Sequence, residues 1–157
     1  MKPNIGISEE NRKAVTAILY SLVADEYVLS VKTRNYHWNI TGPNFQELHK
    51  FFEGQYEALD EIIDDVSERV RALGHFAIGS LSDFLSLSQL KESKPEPLAA
   101  PIMLANLLND HEIIIQFLRI AVNDTHEKYN DAGTSDFLTG LMEQHEKMAW
   151  MLRAYLF

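Results

Sequence analysis

The sequence predicts an all-α fold, a four-helix bundle in which one long connection joins the second and third helices. Four long segments carry apolar residues at the three- and four-residue spacing of a buried helix face. No segment shows the strict alternation of apolar and polar residues that a half-buried strand would have. Two of the three connections are short and the middle one has about 26 residues, so a crossover can link two antiparallel hairpins.

The first two helices are expected to form the first hairpin. The first helix runs from Ser8 to about Asn39, because Ser8 can cap it and the two acids that follow favour its positive end. Thr41-Gly42-Pro43 interrupts the pattern, and Pro43 suits the first turn of the second helix. That helix is expected to end before Gly74, a natural C-terminal stop.

The second hairpin follows a long connection between Gly74 and Pro101. Within this connection Ser82 to Leu90 is expected to form a short helix. The third helix runs from about Pro101 to Glu127, and the fourth begins near Thr134 or Ser135 and reaches the end of the chain. The crossover makes the second and third helices parallel, as in ferritin-like folds. Residues 1–157 are expected to form one domain.

Composition narrows the possible chemistry and partners. The chain has no cysteine, so any metal must be bound by nitrogen and oxygen ligands. The formal net charge of −9 disfavours nucleic acid and attracts cations, although solubility alone also explains an acidic surface. No apolar run approaches the length of a membrane span and the N-terminus does not resemble a signal peptide, so we expect no membrane association and a cytoplasmic location.

Two pairs of possible metal ligands lie on the second helix. His49 and Glu53 are four residues apart, as are Asp64 and Glu68, so each pair shares a helix face. The pairs are separated by roughly 22 Å along the helix, so one metal ion cannot contact both pairs of one chain. Either the pairs are solvated surface residues, or the helix packs antiparallel against its own copy and pairs from two chains meet.

The first helix adds a second imidazole to this pattern. His37 lies near the end of that helix, so an antiparallel hairpin makes it a neighbour of His49. A two-fold axis near Leu59, midway between the two pairs, would generate two identical sites. No histidine has an acidic residue three positions before it, so the usual di-iron site inside one ferritin-like subunit is not expected.

The combined pattern resembles the Dps family of mini-ferritins, named for DNA protection during starvation. The resemblance covers nearly the whole chain and rests on His37-Trp38-Asn39, Gly42, Asn44, Phe45, His49, Glu53, Asp64 and Glu68-Arg69. It implies a homo-oligomer, a cage of twelve subunits (a dodecamer). It also implies ferroxidase activity at the two-fold interfaces: Fe(II) is oxidised with hydrogen peroxide or dioxygen and stored as mineral, which protects against oxidative stress.

The same resemblance implies roles for the five possible ligands. His37, His49 and Glu53 would bind iron together with Asp64 and Glu68 of a second chain. Zinc or manganese could occupy such a set of nitrogen and oxygen ligands in place of iron. The family more often has Asp where this chain has Glu53, so that residue could be a direct ligand, a bridging ligand or a hydrogen-bonding partner.

Other residues have two interpretations each. Trp38 either packs over the site and intercepts stray oxidising equivalents, or is a buried aromatic of the hairpin. The family has acidic funnels near the start of the last helix, which makes Asp136, Asp131 and Asp124 candidate pore residues. The alternative is that these three are ordinary turn and first-turn acids.

DNA binding is not expected, despite the family name. The segment before the first helix has one lysine, Lys2, and the chain ends without a basic tail. Twelve copies of a chain with a charge of −9 would carry about −108, which repels DNA at neutral pH. A nucleoid-protecting DNA-binding protein and a non-enzymatic helical-bundle interaction protein are the alternatives to the ferroxidase cage.

Overall fold

The computed structural model describes residues 3–157, a range that excludes Lys2 and contains five helices and no strand. The helices are α1 (Glu9–Asn39), α2 (Phe45–Ala72), α3 (Leu81–Leu87), α4 (Ala100–Glu127) and α5 (Ala132–Ala154). α1 packs along α2, and α4 packs along α5, so two hairpins make up the bundle. The predicted four-helix bundle with a short helix in its crossover is confirmed.

The ends of the first hairpin follow the local sequence except at the start of α2. Ser8 caps α1 by accepting a hydrogen bond from the backbone N–H of Asn11 over 3.2 Å. α2 begins at Phe45, so Pro43 lies in the preceding turn and not, as predicted, in the first helical turn. Gly74 follows α2 with a φ of +90°, and a Cβ there would clash with the side chain of Pro3.

The short crossover helix ends three residues earlier than the sequence predicts. Ser80 caps it by accepting a hydrogen bond from the backbone N–H of Asp83. Beyond Leu87 the chain turns toward α1, where the buried carboxylate of Asp25 accepts hydrogen bonds from the Ser88 hydroxyl and the Gln89 backbone, each over 2.7 Å. These bonds replace the helical ones, so a contact from distant sequence ends the helix.

α5 begins two residues earlier than expected. The Asp131 side chain accepts a hydrogen bond from the backbone N–H of Thr134 over 2.9 Å and so caps the helix. Thr134, which the sequence suggested as the start of the helix, is therefore the third helical residue.

One apolar core runs between the two hairpins. Its largest fully buried side chains come from α1, α2 and α4, together with two residues that follow helices: Tyr36, Phe52, Leu19, Leu22, Leu29, Ile40, Leu59, Ile62, Leu73, Met103, Leu107 and Ile114. Burying each large aliphatic side chain contributes about 1.5–3 kcal/mol of transfer free energy. This core holds the ends of α1 and α2 in a fixed relation.

α1 is the one helix of residues 3–157 that is long and apolar enough, by composition, to cross a membrane. The sequence analysis did not foresee this, because polar residues are scattered through the stretch. Most of that stretch is buried in the structure, and Leu19, Leu22 and Leu29 are completely covered by the other helices. α1 is therefore a core helix of the bundle.

Candidate metal centre

The two histidines beside the turn of the first hairpin lie face to face. His37 belongs to the last turn of α1 and His49 to the second turn of α2, and the short turn between these helices brings them together. Their rings stack with centroids 3.7 Å apart and planes 21° apart. His37 is buried and His49 is half-buried. The sequence prediction that these residues are neighbours in the hairpin matches this arrangement.

A reciprocal pair of hydrogen bonds sets the tautomer of both rings. The Nδ1 of His37 lies 2.8 Å from the carbonyl oxygen of His49, and the Nδ1 of His49 lies 2.9 Å from the carbonyl oxygen of His37. A carbonyl oxygen only accepts hydrogen bonds, so each Nδ1 carries the proton and donates. Each neutral ring then has its lone pair on Nε2, the form in which an imidazole binds a metal ion.

Aromatic side chains support the histidine pair from the side. The Phe45 ring stacks on His49 at 5.2 Å, and the Tyr56 ring meets His37 edge-on at 5.3 Å. The guanidinium of Arg34 lies 4.4 Å from the centroid of Tyr56. Trp38 is 70% exposed in the single chain, so it is not a buried aromatic of the hairpin.

Glu53 lies one turn beyond His49 on α2 and faces the same end of the hairpin. Its carboxylate is 3.1 Å from the ammonium group of Lys50. The hydrogen bond and charge of Lys50, and more weakly the nearby His37 and His49, lower the pKa of Glu53. Glu53 therefore remains a carboxylate at neutral pH and well into the acid range.

Asp64 and Glu68 are exposed on α2, far along the helix from the histidine pair. Within residues 3–157 of one chain, no three His, Asp or Glu side chains converge as ligands for a metal ion. The structure thus brings together His37 and His49, with Glu53 beside them, and leaves the other two carboxylates apart.

Leu59 marks the midpoint between the two halves of this ligand set. It is fully buried in the core of its own chain. A second copy of α2 could therefore not contact Leu59 itself, and would meet exposed residues at the same level, such as Asp60 and Glu61.

The three candidate pore residues have different surroundings. Asp131 is 2% exposed, caps α5 and accepts a hydrogen bond from Arg69 of α2 over 3.1 Å. Asp124 pairs with Lys128 one turn later, over 2.7 Å. Asp136 is exposed in the second turn of α5. These contacts favour the capping interpretation of Asp131 and leave Asp136 as the freely exposed acid at this end of the helix.

A second group of ionisable side chains was missed by the sequence analysis. Glu26, His111 and His145 meet in the centre of the bundle with no exposed surface. His111 and His145 fall near the apolar stripes of their helices in the sequence, which predicts interior positions, but Glu26 was overlooked. The signal was present, since Glu26 continues the apolar stripe that Leu19 and Leu22 begin on α1.

Known proteins share both the sequence pattern and the fold. Residues 16–157 match the ferritin-like domain family. A low temperature-induced protein of Nostoc sp. is 48% identical over 98% of this chain and 86% of its own length. DNA protection during starvation protein 2 of Bacillus anthracis is 34% identical over 92% of this chain and 97% of its own. The crystal structure of a Dps protein from Vibrio cholerae, a member of the ferritin-like diiron-carboxylate proteins, has a TM-score of 0.93 at 30% identity and covers 99% of this chain and 97% of its own.

Proposed function

Because this chain belongs to the Dps family of ferritin-like proteins, we propose that it is a subunit of a cage that oxidises Fe(II) and stores the product as Fe(III) mineral. The observation that carries the proposal is the reciprocal hydrogen bonding of His37 and His49, which leaves both Nε2 atoms free for a metal ion.

The proposed site is shared by two chains. His37, His49 and Glu53 of one subunit meet Asp64 and Glu68 of another across a two-fold axis, in a cage of twelve subunits. The geometry of α2 supports this, because Asp64 and Glu68 lie too far along the helix to reach the histidines of the same chain. Antiparallel pairing of two α2 helices would bring each pair opposite its complement.

The reaction requires a site that binds Fe(II) and keeps the oxidant close. Two Fe(II) ions give one electron each to hydrogen peroxide, which takes up two protons and becomes two molecules of water. Imidazole nitrogens and carboxylates form a set of ligands that suits Fe(II), Mn(II) and Zn(II), so zinc and manganese are expected to compete with iron. Passing both electrons to one peroxide molecule releases no hydroxyl radical.

Stopped-flow oxidation of Fe(II) by the metal-free protein tests this proposal. We expect fast oxidation that saturates at a fixed ratio of iron to subunit, with hydrogen peroxide faster than dioxygen. The double variant His37→Ala/His49→Ala should lose the fast phase but keep the size of the assembly, because its changes remove both imidazole ligands. His126→Ala is the matched control, since His126 is an exposed histidine on α4.

Two different results would reject different parts of the proposal. Undiminished oxidation in the double variant would reject the assigned ligands. If the unaltered protein oxidised Fe(II) no faster than buffer alone, the ferroxidase itself would be rejected, and the interaction-protein alternative would replace it.

A further inference from the structure

Three ionisable side chains from three helices form a continuous chain of contacts at the centre of the bundle. Nε2 of His145 on α5 lies 2.9 Å from a carboxylate oxygen of Glu26 on α1. Nδ1 of the same ring lies 2.9 Å from Nδ1 of His111 on α4. All three residues have 0% exposure. We refer to Glu26, His145 and His111 as the buried triad.

The carboxylate of Glu26 is short of hydrogen-bond donors. Neither of its oxygens has a directed hydrogen bond among the described residues, so its 2.9 Å contact with His145 is an ion pair by distance alone. An ionised carboxylate buried without donors costs several kcal/mol unless a counter-charge lies beside it. His145 is the group placed to provide that charge, as an imidazolium.

The contact between the two rings then has a defined direction. With His145 protonated on both nitrogens, its Nδ1–H donates and Nδ1 of His111 accepts. His111 must therefore be neutral, and its proton is on Nε2. A second positive charge on His111 would face the first one across 2.9 Å, away from water.

We propose that the buried triad is an acid-sensitive latch. It joins α1 to the α4–α5 hairpin while only one of its two histidines, His145, is charged, and it releases them when His111 is protonated as well. This inference does not depend on the ferroxidase proposal, because none of the three residues belongs to the candidate metal centre. The three side chains of the buried triad thus have a role apart from the proposed iron chemistry.

The sign of the pH effect follows from where His111 binds protons. Burial, and then the charge of His145, hold the pKa of His111 well below its ordinary value. The unfolded chain has no such restriction and takes up the proton at about pH 6.5. The unfolded state thus binds more protons below that pH, and the folding equilibrium constant falls by up to about tenfold per pH unit.

One neighbouring group titrates in the opposite sense. Asp110 precedes His111 on α4 and forms a buried ion pair with Lys32 of α1. Burial raises the pKa of Asp110, even though Lys32 opposes this, so its protonation favours the folded state on acidification. His111 faces His145 of α5, which in turn contacts Glu26 of α1, and no α2 group contributes to the shift in the pKa of His111.

Urea unfolding of the assembled protein between pH 8 and pH 5 tests the latch. The variant His111→Asn keeps a polar group near the position of Nδ1 but cannot gain a charge. We expect its stability to fall less steeply below pH 6.5 than that of the unaltered protein, by close to the tenfold per unit that one histidine contributes. The control His126→Asn, at an exposed position of α4, should leave the slope unchanged.

A second measurement holds even if His111→Asn fails to fold. Exchange of the histidine C2 hydrogen, followed by mass spectrometry on the unaltered protein, reports the titration of each ring. His111 should bind its proton at a lower pH than a free imidazole does, since burial and the charge of His145 lower its pKa. Titration of His111 at the pH of a free imidazole, or an acid slope that His111→Asn leaves unchanged, would overturn the proposal.

Discussion

The histidines of this chain show how surroundings decide what one residue type does. The rings of His37 and His49 each donate from Nδ1 to a carbonyl oxygen of the other residue, which leaves Nε2 available. His111 and His145 are enclosed in the core and contact each other. His126 is exposed and has no such constraint. Sequence spacing could single out the first pair, because both lie close to one turn.

The hydrogen bonds that fix these tautomers could not be read from the sequence. They depend on the exact closure of the α1–α2 turn, which sets where the carbonyl groups of His37 and His49 point. The apolar stripe of α1 marks Glu26 as interior, but its pairing with His145 was equally out of reach, since the two lie more than a hundred residues apart and only packing of the hairpins joins them. Motif recognition located the candidate ligands, while their chemical state needed coordinates.

Glu53 carries the first residue-scale prediction. Glu53→Ala should slow Fe(II) oxidation by about tenfold to a hundredfold, as expected when a ligand or its supporting carboxylate is lost. Glu53→Asp should retain most of the rate, because the family more often has Asp there and the carboxylate is preserved. Initial rates at saturating Fe(II) measure both variants. Glu57→Ala, one turn later and exposed, is the control; equal rates for Glu53→Ala and this control would remove Glu53 from the site.

At the scale of elements, some helix ends are set by local sequence and others by contacts with distant residues. Ser8 begins α1 and Gly74 follows the end of α2, as their side-chain and backbone preferences indicated. α3 ends early because Asp25 of α1 binds the residues that follow it, a tertiary contact that no local pattern contains. α5 begins early because Asp131 caps it through the backbone N–H of Thr134, which is a local signal, and Arg69 of α2 also holds Asp131 in place.

The two aspartates at the start of α5 should respond differently to substitution. Asp131→Ala should lower stability by about 1–2 kcal/mol, since it removes the cap of α5 and the partner of Arg69. Urea unfolding measures this loss, and an Asp131→Ala variant as stable as the unaltered protein would contradict the capping role.

Asp136→Asn should leave stability unchanged but slow iron uptake, because an exposed acid is available to attract Fe(II). The rate of mineral growth measures this effect, and normal uptake in Asp136→Asn would contradict the assignment of Asp136 to the pore.

At the scale of the whole molecule, the order of elements and the crossover were predictable because loop length restricts how four helices can connect. The shared site is a proposal about assembly, since the candidate ligands on α2 of one chain do not converge by themselves. In the proposed cage of twelve subunits, a formal charge of −9 on each chain would oppose the approach of DNA and favour the approach of cations. Protection by iron removal would need no contact with DNA.

The central claim, a site shared by two chains, is tested most directly by mixed cages. One variant, His37→Ala/His49→Ala, lacks the imidazoles, and another, Asp64→Asn/Glu68→Gln, lacks the two carboxylates that the second chain is proposed to contribute. Each should be inactive alone. In cages reassembled from equal amounts, half of the two-fold interfaces are mixed, and one of the two sites in each mixed interface is intact.

Stopped-flow oxidation of Fe(II) by these mixed cages is therefore expected to recover about a quarter of the fast phase of the unaltered protein. Light scattering should show assemblies of about 216 kDa, twelve subunits of 18.0 kDa, before and after mixing. Mixed cages of that size with no more activity than the separate variants would contradict the shared site and place the whole reaction within a single chain.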